Sequence, residues 1–273
     1  MSNLDECYET VIELVKESGQ LIRENICKQK NILIKSCDVD LVTETDRQVE
    51  KLLIDGISAK FPEHKFIGEE TTAETNKKVT LTDDPTWIID PVDGTMNFVH
   101  SLPHTCISIA LWIDKIAEIG IVYNPVLEQF FTARKGKGAF LNGKPIHVSQ
   151  ETELQKALIM NELGTCRDPE KLRITIDNLT TLTPLIHGTR SLGSAALNMC
   201  MVAMGGADVN YEFGIHAWDV AAGDLIVREA GGVCIDPAGG NFDIMSRRVL
   251  CASTMPLAQK VAKVLTQYYP ERD

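Results

Sequence analysis

The chain has 273 residues, 44% of them hydrophobic and 24% charged, which is material for a sizeable core in one large domain or two packed halves. Its 38 acidic residues outnumber 27 basic ones, a net charge of −11 that argues against nonspecific binding to nucleic acid or to an anionic membrane. No apolar run approaches the roughly 20 residues that span a bilayer, so no membrane partner is expected.

From residue 4 to 27, Val11, Leu14, Val15, Leu21, Ile22 and Ile26 recur at helical spacing and predict an amphipathic helix. Residues 31–34 predict a short extended piece and residues 35–46 a polar loop. Asp38 and Asp40 open like a calcium loop, but the glycine and closing glutamate of an EF-hand are missing. Thr43 or Thr45 caps the next predicted helix, which carries Val49, Leu52, Leu53 and Ile57 on one face and ends near Phe61 and Pro62. Residues 66–70 read as a short strand stopping on a glycine and two acids, Glu69 and Glu70, which alone could equally be a solvated pair. Residues 71–84 are polar and turn-rich, the pattern of a surface loop.

The stretch Trp87-Ile-Ile-Asp-Pro-Val-Asp-Gly-Thr-Met-Asn-Phe98 organises the chain. Its apolar start predicts a buried strand, ended at Pro91, which cannot donate to a ladder. Asp90 and Asp93 flank a tight turn with the Val92 carbonyl between them. These hard oxygen ligands suit Mg²⁺ rather than zinc. Gly94 has no side chain to block a ligand, and Thr95 and Asn97 suit a helix start, where free N–H groups and the dipole favour a phosphate. Turn and capping roles for Asp90 and Asp93 are the alternative.

Strands are predicted over 105–113, 117–123 and 129–133, with turns at Asp114-Lys115, Gly136-Lys-Gly138 and Asn142-Gly143. The character changes after about residue 149, giving an α+β half over 1–149 and an α/β half over 150–273, packed tightly as one catalytic unit. Strands over 157–160, 185–187, 207–213, 233–235 and 249–252 alternate with helices over 169–179, 194–204, 219–230 and 256–267. That alternation predicts a largely parallel sheet. Glu212, His216 and Asp219 gather near the third of these helices. Asp219 is a first-turn acid or a third metal carboxylate; Glu212 ends a strand in solvent or accepts from a substrate hydroxyl. His216 reads as a structural hydrogen-bonder rather than a ligand. The 8 cysteines form no Cys-x-x-Cys pair and the opening residues show no signal segment, so a reduced, cytoplasmic protein is expected.

Three segments in this order, Phe66-Ile-Gly-Glu-Glu70, the Trp87 to Phe98 stretch, and Trp218-Asp-Val-Ala-Ala-Gly-Asp-Leu-Ile-Val-Arg-Glu-Ala-Gly-Gly232, closely resemble the inositol monophosphatases. The likeness continues through Thr132-Ala-Arg-Lys-Gly-Lys-Gly-Ala-Phe140 and Met245-Ser-Arg-Arg-Val249. It implies a layered αβαβα sugar-phosphatase fold, commonly a homodimer, and Mg²⁺-dependent, lithium-inhibited hydrolysis of inositol monophosphates in inositol metabolism. Carried over by position, it makes Glu69, Asp90 and the Val92 carbonyl ligands of one metal, with Asp90 bridging to a second held by Asp93 and Asp219. Gly94 and Thr95 would cradle the phosphate. Gly193, Ser194 and Ala195 would face the inositol, with Glu212 accepting from its hydroxyls. Asp46, paired with Thr95, and Glu70 would serve the attacking water; Lys35 and Thr165 match nearby polar positions. Met96 and Ser194 stand where threonine is common in the family, and neither departure threatens metal binding.

Overall fold

The computed structural model describes residues 4–30, 32–34, 41–75 and 79–273. Lys35, Asp38 and Asp40 lie outside these. Helices α1 (Leu4–Asn25) and α2 (Glu44–Lys60) flank the antiparallel pair β1 (Ile32–Ile34) and β2 (Leu41–Thr43). Val11, Val15 and Ile22 on α1 and Val49, Leu53 and Ile57 on α2 are wholly buried, since each set falls on one face of a 3.6-residue helix.

That face lies on a seven-stranded sheet. Its strands are β3 (Lys65–Gly68), β4 (Thr86–Asp93), β5 (Cys106–Ile113), β6 (Ile116–Asn124), β7 (Gln129–Arg134), β8 (Gly138–Leu141) and β9 (Lys144–Ile146), side by side in chain order. β3 and β4 run parallel and every later pair is antiparallel. Helices α3 (Glu69–Thr75) and α4 (Thr95–Val99) follow the ends of β3 and β4. Successive strand side chains alternate faces. Trp87, Ile89, Ile107, Ile109 and Ile121 therefore pack with α1 and α2, while Ile88, Ala110, Val122 and Phe131 pack on the other side. A sheet covered on both faces needs apolar residues at nearly every position, which is why β4 reads as a continuous apolar run.

The second face is covered by α6 (Ala195–Ala203) and α7 (Ala217–Glu229). Both are apolar almost all round, as a helix between two sheets must be. Beyond them lies a five-stranded sheet of order β11-β10-β12-β14-β13, built from β10 (Leu158–Asn161), β11 (Gly188–Arg190), β12 (Val209–Phe213), β13 (Val233–Ile235) and β14 (Arg248–Ala252). Val249 and Cys251 face α6 and α7; Leu250 and Ala252 face outward onto α5 (Pro169–Leu182) and α8 (Met255–Ala262). The result is the αβαβα layering that the resemblance implies.

Several local expectations are corrected. β4 does not stop at Pro91 but runs to Asp93, with a register shift between Asp90 and Asp93; the bulge absorbs the missing donor. The second sheet is mixed rather than largely parallel, because β14 returns antiparallel between β12 and β13. The strand expected at 185–187 lies at Gly188–Arg190. Residues 69–75 form α3 in place of the strand end expected at 69–70 and the loop expected from 71, since Glu50 accepts from the N–H groups of Glu70 (2.9 Å) and Thr71 (2.8 Å) at its first turn.

Candidate active site and metal centre

One cavity of about 930 Å³ opens where the ends of β3 and β4 meet the starts of α6 and α7. Glu69, Asp90, Val92, Asp93, Gly94, Thr95, Gly193, Ser194, Ala195, Glu212 and Asp219 all line it, as do Met96 and Thr165. Asp46 and Glu70 are buried and stand outside the lining.

The bulge in β4 aims two acids into the cavity. Asp90 accepts from the Val92 N–H (3.0 Å), which fixes the turn. One oxygen of Asp93, Oδ2, accepts from Ser194 Oγ (2.6 Å) and the Ala196 N–H (2.7 Å), and the Cys106 thiol lies 3.7 Å away. Asp93 therefore anchors the start of α6 with one oxygen and leaves the other for a ligand. Asp219 behaves alike: its Oδ2 accepts from the His216 N–H (2.6 Å) at the head of α7. Carboxylate oxygens of Asp90, Asp93 and Asp219 all lie within 4.8 Å of one another. Among the described residues no lysine or arginine pairs with these three acids.

Such crowding is costly without a cation. Burial, then the charges of Glu69, Asp93 and Asp219, push the Asp90 carboxyl well above its ordinary range. Burial and the Asp219 charge raise Asp93 to about 7 against the hydrogen bonds from Ser194 and Ala196. Burial raises Asp219 to about 6, opposed by His216. Three hard oxygen donors held together, each partly spent on backbone or hydroxyl donors, fit a divalent magnesium-type ion.

Gly94 makes the adjoining turn possible. Its φ is +84°, and a Cβ there would stand 2.9 Å from His104 O and 3.0 Å from Gly193 O. Thr95 follows as the first residue of α4, its hydroxyl within reach of two acceptors, Val92 O (2.9 Å) and Asp46 Oδ1 (3.2 Å). Asp46 is held by the Thr43 N–H (3.0 Å) and hydroxyl. Glu212 faces the cavity from the end of β12, and its Oε2 is buried without a hydrogen-bond partner. His216 stacks on Trp218 at 4.5 Å and pairs with Asp273 at 2.6 Å, the structural role expected of it.

Sequence reasoning missed Glu50 and Glu162, and gave Asn97 only a place at a helix start. Glu50 sits three and seven residues before Leu53 and Ile57, so an acid on the apolar face of the predicted helix was the available signal. Asn97 donates to His104 O and Leu192 O, both at 2.7 Å, joining the loop after α4 to the loop that enters α6. Glu162 accepts from the Gly193 N–H (2.8 Å) and Asn198 (2.9 Å); nothing in its neighbourhood marked it.

An αβαβα sandwich with an oxygen-only carboxylate cluster beside a helix start is the fold and donor set that the resemblance implies. The inositol monophosphatase family model matches residues 3–269, and the chain belongs to that family. Inositol monophosphatase 1 of Homo sapiens is 49% identical over 269 residues, covering 98% of this chain and 97% of that protein. Inositol monophosphatase 2 of Rattus norvegicus is 44% identical over 270 residues, covering 98% and 93%. The solved Thermotoga maritima IMPase superposes with a TM-score of 0.84 at 32% identity, covering 95% of this chain and 96% of that one.

Proposed function

We propose that the protein hydrolyses inositol monophosphates to free myo-inositol and phosphate with Mg²⁺, in inositol recycling and phosphatidylinositol signalling. The observation that carries this reading is the Asp90, Asp93 and Asp219 cluster lining the same cavity as Glu212. Similarity to curated inositol monophosphatases over 98% of the chain supports the substrate.

Glu69, Asp90 and the Val92 carbonyl would hold one ion; Asp90, Asp93 and Asp219 would hold a second. Bound magnesium supplies charge neutralisation of the phosphate dianion and acidifies water. The chain's own groups do the rest. N–H groups of Gly94 and Thr95 receive the phosphate at the start of α4. The Thr95 hydroxyl has one proton and two acceptors; were Val92 O taken by an ion, the proton would turn to Asp46 and leave the oxygen lone pairs for the attacking water. Glu70, in the first turn of α3, would act on that water from behind the cavity lining. Gly193, Ser194 and Ala195 form the wall for the inositol ring, and Glu212 accepts from its hydroxyls. Glu69, Asp93 and Asp219 border the substrate as well as the ions.

The halves 1–149 and 150–273 act as one catalytic unit in this reading, supported by the bonds that Asp93 accepts from Ser194 and Ala196. We read the protein as a cytoplasmic homodimer. No helix among the described residues is long and apolar enough to cross a membrane. Phosphate release with Mg²⁺ from inositol 1-phosphate, fructose bisphosphate and adenosine bisphosphate, with and without lithium, tests the substrate. A preference for either bisphosphate would overturn it. Light scattering on the eluting protein tests the dimer.

A further inference from the structure

Lys171, in the first turn of α5, is only 1% exposed. A cation there faces the wrong end of the helix dipole, and burial adds a desolvation penalty. The penalty shows as a side-chain pKa lowered by burial. Its Nζ donates to Leu163 O at 2.6 Å, and among the described residues no carboxylate forms a direct ion pair with it. The surroundings nonetheless make room for it. A methyl on Gly164 (φ +65°) would stand 2.8 Å from Nζ, and one on Gly214 (φ +79°) would stand 3.4 Å from Cε. The same methyl on Gly164 would stand 3.7 Å from Glu212 Oε1, so the ammonium and that carboxylate are neighbours across one glycine. Glu212 lines the cavity and Lys171 does not, which puts the cation behind the acid. Burial, and after it the charges of Glu162, Asp219 and Asp93, push the Glu212 carboxyl well above its ordinary range; the Lys171 ammonium opposes them and favours the anion.

We propose that Lys171 is a positioning residue for polyol recognition: its buried ammonium, seated behind Glu212, holds that side chain as an anionic acceptor for ring hydroxyls. The preference for polyol phosphates over esters without hydroxyls is then set partly from outside the cavity. The proposal rests on the reading of Glu212 given above and adds to it the group that keeps Glu212 in working form.

Kinetics with inositol 1-phosphate and with phenyl phosphate, which has no hydroxyl on its ring, test it. Lys171→Met should raise KM for inositol 1-phosphate about tenfold, equivalent to about 1.4 kcal/mol. It should leave kcat within about twofold and KM for phenyl phosphate unchanged. In a Glu212→Gln background the same substitution should add nothing, because the partner charge is gone. Thermal melting reports whether each variant folds. Should Lys171→Met fail to fold, Lys171→Gln keeps a donor for Leu163 O without the charge and should show the same signature. An equal KM rise for both esters, an unchanged KM for inositol 1-phosphate, or additive effects with Glu212→Gln would overturn the proposal alone. A wild type that hydrolyses phenyl phosphate but not inositol 1-phosphate would overturn the functional reading, and this proposal with it.

Discussion

Replacing Asp93 by asparagine turns one oxygen of the carboxylate cluster into an NH₂ group. The amide oxygen can keep the bonds from Ser194 and Ala196, so the start of α6 stays anchored. The amide nitrogen then takes the ligand-facing position, where it cannot coordinate a hard cation. Without metal the variant should be at least as stable as wild type. Raising Asp93 from 3.8 to about 7 sets an upper bound of about 4 kcal/mol on the strain of ionising it, at about 1.4 kcal/mol per unit. Neighbouring Asp219 shares that strain, leaving on the order of 1–2 kcal/mol for the single change and a melting rise of about 2–4 °C. Turnover should fall by about 10³ or more, since the lost ligand supports several kcal/mol of transition-state charge stabilisation. Calorimetric Mg²⁺ titration, melting in chelator and phosphate release together provide the assay. Near-normal kcat at saturating Mg²⁺, or a drop of many degrees in metal-free melting, would refute the reasoning.

Asp219→Asn should likewise weaken Mg²⁺ binding, about 100-fold by titration, while its amide oxygen keeps the cap on the His216 N–H. Glu212→Gln should raise KM for inositol 1-phosphate while Mg²⁺ affinity stays within about twofold; a large metal effect would remove Glu212 from the sugar side. Gly94→Ala forces a methyl to within 2.9 Å of His104 O at a φ of +84°, and should cost about 1–3 kcal/mol with a matching loss of melting temperature. Metal-free protein should lose stability as pH rises. Asp93 and Asp219 titrate near 7 and 6 when folded, above the ordinary carboxylate range, so the folded state holds their protons more tightly. Stability from those protons is complete below about pH 4 and gone above about pH 7. Melting in chelator from pH 5 to 8 should show the decline, Asp93→Asn should flatten it, and Mg²⁺ should reverse it at pH 8 but not at pH 5.

The stretch from Trp87 to Asp93 declared both its strand and its acids because a doubly covered sheet demands apolar side chains on both faces, so two carboxylates there stand out. Helix α6 was equally plain: expected over 194–204, it runs over Ala195–Ala203, with Ser194 as its cap accepting from the Leu197 N–H at 3.2 Å. What the chain hid were partners fixed only by tertiary contact. Glu50 and Glu162 each accept backbone N–H groups from segments distant in sequence, and neither belongs to a local motif. The extent of β4 past Pro91 was hidden for the same reason, since a bulge is defined by its neighbour β5. Strands β8 and β9 were read only as a turn at Asn142-Gly143, being too short to show alternation. Lys171 was invisible because a lysine early in a helix looks like any solvated charge until its burial is known.

The anchoring of α6 by Asp93 has a consequence for biogenesis. Asp219 reaches Asp90 and Asp93 only after α6 and α7 have slotted between the two sheets, late in synthesis, since Asp219 follows Asp93 by 126 residues. A nascent polypeptide on the ribosome would thus lack the second ion's ligand set until that step, so filling of that position would follow completed assembly.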